Sequence, residues 1–381
     1  MIFMEYIDRK ISGIIKEAIP FYPVIVLTGP RQTGKTTLAR HLFPDYVYFN
    51  LEDITVREAV ESDPRGFIMN GAEGMIIDEI QKVPALFSYI QVAVDENHQK
   101  KFILTGSSDF ALMEKITQSL AGRASLFTLL PFSFKEIPDY VKESSTNDLM
   151  YRGFYPGVIV KGIKSDLFYS NYYATYVERD ARQISSIENL DIFRLFIRVL
   201  AGRTGSEFNA NSLSAELGVS APTIRKWLGI LKTSYIAFSL SPYHVNLAKR
   251  LTKTPKIYFY DTGLLCFLLG IRNDSDLNLH PLRGAIFENL AIMELIKEKY
   301  NRGSFADFYF YRENGSREVD LLKVESSDIQ LYEIKSSSTY NKIFQKNLIY
   351  LKNLLGNQIK SSLVVYDGPT VTPIAVNIKE L

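Results

Sequence analysis

At 381 residues the chain is long enough for two or three domains, and its 46% hydrophobic and 23% charged content is that of an ordinary globular protein. A formal net charge of +2 makes no chain-wide electrostatic case for nucleic acid, so any such case must be local. The only cysteine, Cys266, lies in an apolar run, which excludes an internal disulfide or a cysteine-built zinc site and marks a buried structural thiol.

No apolar run approaches the roughly 20 residues that span a bilayer. Residues 1–10 carry acids and lack the apolar core of a signal peptide, so a cytoplasmic location is expected. In chain order, residues 8–19 predict an amphipathic helix, and Val24-Ile25-Val26-Leu27 a buried parallel strand. The strand runs into Gly29-Pro30-Arg31-Gln32-Thr33-Gly34-Lys35-Thr36, which fits G-x-x-x-x-G-K-[ST] at every fixed position, and Thr37 continues as helix. Glycines let the backbone wrap a phosphate with its N–H groups pointing inward at a helix N-terminus. Lys35 can then reach β- and γ-phosphates of ATP, and the Thr36 hydroxyl can ligate Mg²⁺.

A second strand is expected over 46–51, then a helix over 53–61 closed by Asp63-Pro64. The run 74–79 ends apolar residues on Asp78 and Glu79, like a Walker B motif: Asp78 to hold Mg²⁺ mostly through water, Glu79 to polarise the attacking water. The run 102–108 is a further strand ending in Ser107 and Ser108, at the carboxyl end beyond which ligands sit in open parallel sheets. Arg123 precedes the fifth strand, badly placed for its own γ-phosphate but well placed to enter a neighbouring subunit's site.

Together these motifs resemble the AAA+ ATPases over residues 20–135, with Ser107/Ser108 like the first sensor and Arg123 like an arginine finger. The resemblance implies a Mg²⁺-dependent ATPase with a central parallel sheet, assembled as a ring or partial ring. It also points to a prokaryotic branch whose ATPase core is fused to C-terminal domains. Arg179 or Arg182 would serve as second sensor.

Residues 148–162 read as a structured connector, and 166–185 and 190–201 as helices. A short helix over 211–217, a turn at Gly218-Val219-Ser220 and a second helix over 221–232 suit a helix-turn-helix, with Val219, Ile224 and Leu228 inward. Thr223, Arg225 and Lys226 would then face a DNA major groove. Strands over 236–241 and 256–260 would form a wing whose loop brings Lys249, Arg250 and Lys253 to phosphates.

A helix opening at Arg283 carries Glu288 among apolar neighbours. Strands then follow over 308–311, 317–323 and 331–335, placing Asp320, Glu333 and Lys335, the latter two on one strand face. Two carboxylates can bind Mg²⁺ and a lysine alongside can position water. The set resembles the PD-(D/E)XK, restriction-endonuclease-like nuclease fold, with Val319 in place of the family's proline.

The expected organisation is therefore α/β throughout: an AAA+ P-loop parallel sheet (1–145), a helical lid and winged-helix region (146–275), and a nuclease-like domain (280–381). The expected function is ATP hydrolysis driving conformational change on DNA. The alternative is an ATP-dependent switch that binds a protein partner and carries an inactive nuclease-like domain.

Overall fold

The computed structural model describes residues 6–106, 119–177, 189–243, 254–303, 307–313 and 317–381. The chain divides into two compact units: Met1–Phe132 with Thr233–Tyr235 and Lys299–Ser304, and the remainder.

In the first unit, α1 (Ser12–Ala18) precedes β1 (Val24–Thr28), α2 (Lys35–Leu42), β2 (Val47–Asn50), α3 (Ile54–Ser62), α4 (Pro64–Met69), β3 (Gly74–Asp78), α5 (Leu86–Glu96), β4 (Lys101–Thr105) and β5 (Ala124–Thr128). The strands form one parallel sheet in the order β2-β3-β4-β1-β5. Strand side chains alternate faces. Val24, Val26, Met75, Ile77, Phe102 and Leu104 pack with the helical residues Val60, Ile68, Phe87 and Ile90. Ile25, Leu27, Ile76 and Ile103 take the other face, with Ile11, Ile15, Leu38 and Ala39. Burial on both faces is why these strands read as continuous apolar runs.

One local expectation is corrected, and two helices, α4 and α5, add to the expected elements. The first helix is shorter than predicted, starting at Ser12, and residues 6–9 are non-helical. Helix α3 closes at Asp63 as expected, but a new helix starts at once: Asp63 accepts the Gly66 N–H at 2.8 Å and Pro64 fills the first turn of α4. Helix α5 was not expected, although Leu86, Phe87, Ile90, Ala93 and Val94 have helical spacing and are its buried face.

The second unit begins with α6 (Pro138–Glu143), α7 (Thr146–Arg152), α8 (Pro156–Ile159) and α9 (Ser165–Tyr172), so the predicted connector over 148–162 is itself largely helical. Next come α10 (Leu190–Ala201), α11 (Ala210–Leu217) and α12 (Ala221–Thr233). Ser220 caps α12 by accepting the Thr223 N–H at 3.2 Å. Trp227, the only tryptophan in the chain, is 5% exposed and packs against Phe193 and Phe196 of α10 at ring separations of 5.4 and 5.5 Å.

A seven-stranded mixed sheet follows, in the order β12-β11-β10-β9-β8-β6-β7. Its strands are β6 (Ala237–Pro242), β7 (Lys256–Phe259), β8 (Phe308–Glu313), β9 (Arg317–Glu325), β10 (Asp328–Lys335), β11 (Ile359–Tyr366) and β12 (Ala375–Asn377). Helix α13 (Thr262–Leu268) buries Cys266, α14 (Arg283–Asn301) buries Phe287, Leu290 and Ala291, and α15 (Lys346–Leu355) packs Leu348 and Leu351 on Val319, Leu331 and Val364. The antiparallel pair β6–β7 is not a free-standing wing. Its β6 continues onto β8 through Ser241↔Tyr309 and Pro242↔Phe310, making the pair one edge of the large sheet.

Candidate functional site: a phosphate loop joined to an acidic strand end

The loop between β1 and α2 holds the shape its glycines permit. Gly29 has φ +133° and Gly34 φ +91°, and a Cβ on Gly29 would run into the Leu129 carbonyl oxygen. Lys35 is buried, and its ammonium donates to the carbonyls of Gly29 (3.1 Å) and Pro30 (2.7 Å). Burial pushes its pKa down to about 8, partly opposed by the charge of Glu79. Thr33 turns its hydroxyl back to the Pro30 carbonyl at 3.0 Å, while Thr37 is exposed at the first turn of α2.

Asp78 closes β3 beside this loop. Its Oδ2 accepts from the Thr36 hydroxyl at 2.8 Å and from the Tyr48 phenol at 3.0 Å, and its Oδ1 accepts from the Thr105 hydroxyl. Strand register explains the convergence: β2 pairs Asn50 with Asp78, and β4 pairs Leu104 with Ile77, which brings Thr105 alongside. Burial and the neighbouring Asp78 charge raise the Tyr48 pKa, keeping it a donor. Glu79 adopts φ +57° and accepts a hydrogen bond from the Gln81 amide.

Lys35, Thr36, Asp78 and Glu79 therefore converge. Arg123 does not join them: Ala124 pairs with Val24 at the start of β1, whereas the loop follows the end of that strand. The Arg123 guanidinium instead grips Asp95 of α5 with two bonds of 2.6 and 2.8 Å. Ser107, Ser108, Arg179 and Arg182 lie outside the described residues. Tyr48, Thr105 and Gln81 were missed by sequence reasoning. Thr105 stood inside the quoted strand, two residues before the serines preferred there.

In the second unit, Arg225 and Lys226 are exposed and Thr223 partly so, while Ile224 and Leu228 are buried and Val219 only half-buried. Lys249, Arg250 and Lys253 lie outside the described residues. Asp320 on β9 meets Glu333 and Lys335 on β10. The Lys335 ammonium is 2.8 Å from Glu333 and 3.3 Å from Asp320, and Asp320 also accepts the Ile334 N–H at 2.7 Å. Burial and the charge of Asp320 push Glu333 up to about 8, and its buried Oε2 has no hydrogen-bond partner among the described residues.

Glu288 turns instead to Lys256 (3.2 Å) and Tyr258 on β7, and burial with Asp320 nearby pushes it up to about 7. Lys256, 4% exposed, also pairs with Glu318. Among the described residues no three His, Cys, Asp or Glu side chains group to hold a metal ion. Nor, among them, is any helix long and apolar enough to cross a membrane.

The parallel sheet with its loop and acidic strand end defines a P-loop NTPase core of AAA+ type, followed by a helical region and a mixed sheet. Residues 22–138 match the AAA domain family, while 143–275 and 283–381 match two domains of unknown function, DUF8612 and DUF4143. An uncharacterised protein of Mycobacterium tuberculosis is 30% identical over 335 residues, covering 87% of this chain and 74% of that protein. One from Methanocaldococcus jannaschii is 25% identical over 396 residues, covering 93% and 85%. The chain belongs to the family of the mycobacterial protein. Among solved structures, a Walker-type ATPase of Pyrococcus abyssi aligns with TM-score 0.47 at 16% identity, covering 69% of this chain and 96% of that one.

Proposed function

We propose that the first unit is a Mg²⁺-dependent ATPase. The observation that carries this reading is the 2.8 Å hydrogen bond from Thr36 to Asp78, which joins the phosphate loop to the acidic strand end. The residues fit the ligand: Gly29 and Gly34 give the loop its anion-cradling backbone, and Lys35 is a desolvated cation at its mouth. Thr36 and Asp78 are the hard oxygen donors that Mg²⁺ takes. Bound there, Mg²⁺ would help neutralise the charge that develops on the phosphate.

In this reading residues 29–37 cradle the phosphates, with Arg31 and Gln32 at the bend, and Lys35 steadies the β- and γ-phosphates. Glu79 orients the attacking water once it leaves Gln81. Ser107 or Ser108 senses the γ-phosphate. Arg123 acts in trans in a homo-oligomeric ring, exchanging Asp95 for a neighbour's nucleotide. The test is Lys35→Ala, for which ATP turnover should fall at least ~10²-fold in a folded protein; unchanged turnover would sink the proposal.

We further propose the division into modules 1–145, 146–275 and 280–381, with the helices around Ser220 binding DNA through Thr223, Arg225 and Lys226, and with Lys249, Arg250 and Lys253 further along the chain pairing with phosphates. Glu288, Asp320, Glu333 and Lys335 would form a nuclease-like site. Retention of Mg²⁺-dependent DNA cleavage in Lys335→Ala would remove that assignment. A second reading, an ATP-dependent switch for a protein partner with an inert nuclease-like domain, is favoured by one observation: Lys335 already neutralises the Asp320 and Glu333 pair. Absence of any DNA shift at low salt, with ATPase intact, would select it.

A further inference from the structure

The phosphate loop is held from outside its own motif. Arg9, upstream of α1, is only 6% exposed, unusual for an arginine. One guanidinium nitrogen donates to the Thr33 carbonyl at 2.9 Å, inside the loop. The other donates to the Leu130 carbonyl at 2.6 Å, just past β5. The guanidinium carbon lies 4.6 Å from the centre of the Phe132 ring.

The two tied segments also touch directly. Gly29 approaches the Leu129 carbonyl so closely that no side chain fits, and the Leu129 N–H donates to the Thr28 carbonyl at 2.9 Å. The segment bearing Arg9 is fixed at both ends. Ile11 is fully buried in the sheet core, and Tyr6 stacks on His41 near the end of α2 with ring centres 3.7 Å apart. Three residues of non-helical chain reach about 10 Å, close to the roughly 12 Å length of an eight-residue helix, so residues 6–9 can run beside α2 from its end to its start.

We propose that Arg9 is a positioning residue of the nucleotide site. It clamps the loop at Thr33 to residues 129–132, so that a ligand in the loop also orders the segment by which the chain leaves the first unit. The coupling to nucleotide rests on the ATPase reading; the clamp does not. The guanidinium reaches the two segments with two separate nitrogens held in a rigid plane, a geometry that the single nitrogen of a lysine ammonium does not reproduce. Any ligand that shifts the Thr33 carbonyl must therefore move or tighten Leu130.

Hydrogen exchange tests both parts. Without nucleotide, Arg9→Ala should raise exchange at the amides of Gln32, Thr33 and Gly34 together with those of Leu129, Leu130 and Phe132, leaving β2 and α3 as in wild type. Loosening of only one of the two segments would overturn the clamp. With a non-hydrolysable ATP analogue, wild type should gain protection in both segments and Arg9→Ala in the loop alone. Equal protection of 129–132 in both proteins, or none in wild type that binds the analogue, would overturn the coupling.

A wild type that binds no analogue would defeat the ATPase reading, and the nucleotide-free comparison would still decide the clamp. If Arg9→Ala does not fold, Arg9→Lys decides: it should show the same uncoupling, with KM for ATP raised about tenfold and kcat changed less than threefold. Full rescue by lysine would show that a buried positive charge suffices and would overturn the two-carbonyl clamp.

Discussion

Asp78 in the first unit and the Asp320–Glu333 pair in the second are both buried carboxylate sites, but they are satisfied by opposite means. Asp78 is held by three neutral hydroxyls, those of Thr36, Tyr48 and Thr105. Its charge is solvated without being cancelled, so a cation beside it gains the full attraction. Asp320 and Glu333 share the Lys335 ammonium, and Glu288 and Glu318 share that of Lys256. There the cations belong to the protein, and a metal ion would have to compete with them. Hydroxyl partners leave the charge of Asp78 for a ligand, whereas Lys335 and Lys256 already offset the charge of the carboxylates beside them.

The sharpest way to break this comparison is to remove a cation from each unit. Lys256→Met leaves Glu288 and Glu318 facing each other near Asp320, and should destabilise the second unit by about 3–5 kcal/mol, a fall in melting temperature of roughly 10 °C. Lys35→Met should do the reverse in the nucleotide-free protein. Its ammonium is a charge the fold disfavours, so thermal stability should hold or rise by roughly 2–5 °C at pH 7. A comparable loss in both variants, read by calorimetry, would erase the distinction.

A smaller effect follows from protons. Glu333 and Glu288 sit at about 8 and about 7 when folded, against the ordinary 4.5. Below that ordinary value both states carry the proton and the contribution is complete. Between there and about pH 8 the folded chain keeps protons that the unfolded chain releases, so the contribution is lost as pH rises. In EDTA, Glu333→Gln should therefore flatten part of the fall in stability between about pH 5 and 8; parallel wild-type and variant curves would contradict it. The smallest effect belongs to Tyr48→Phe, which deletes one of three donors to Asp78. It should raise the Mg²⁺ concentration for half-maximal ATPase several-fold with little change in melting temperature.

The sequence made some of this legible because its signals are local. The phosphate loop announces itself by glycine spacing and strand context, and Asp78-Glu79 by acids at the end of an apolar run. Glu333-x-Lys335 follows strand alternation, and Asp320 proved to lie on the adjacent strand. What stayed hidden depends on register between distant strands. Tyr48 and Thr105 face Asp78 only because β2 and β4 flank β3 at one particular offset. Lys256 enters the acidic cluster only because β6 joins β8 by two residue pairs. Helix α5 is a different case: its spacing was readable, and its apolar face lies under β3 and β4 in one cluster.

Trp227 has a consequence of another kind. It is the chain's single tryptophan, buried edge-on against Phe193 of α10, and the first unit contains none. Excited selectively near the red edge of protein absorption, the molecule emits from the second unit alone. One fluorophore supplied by nature can thus follow that unit's unfolding while calorimetry or circular dichroism follows the whole chain, and the offset between the two transitions isolates what nucleotide contributes to the first.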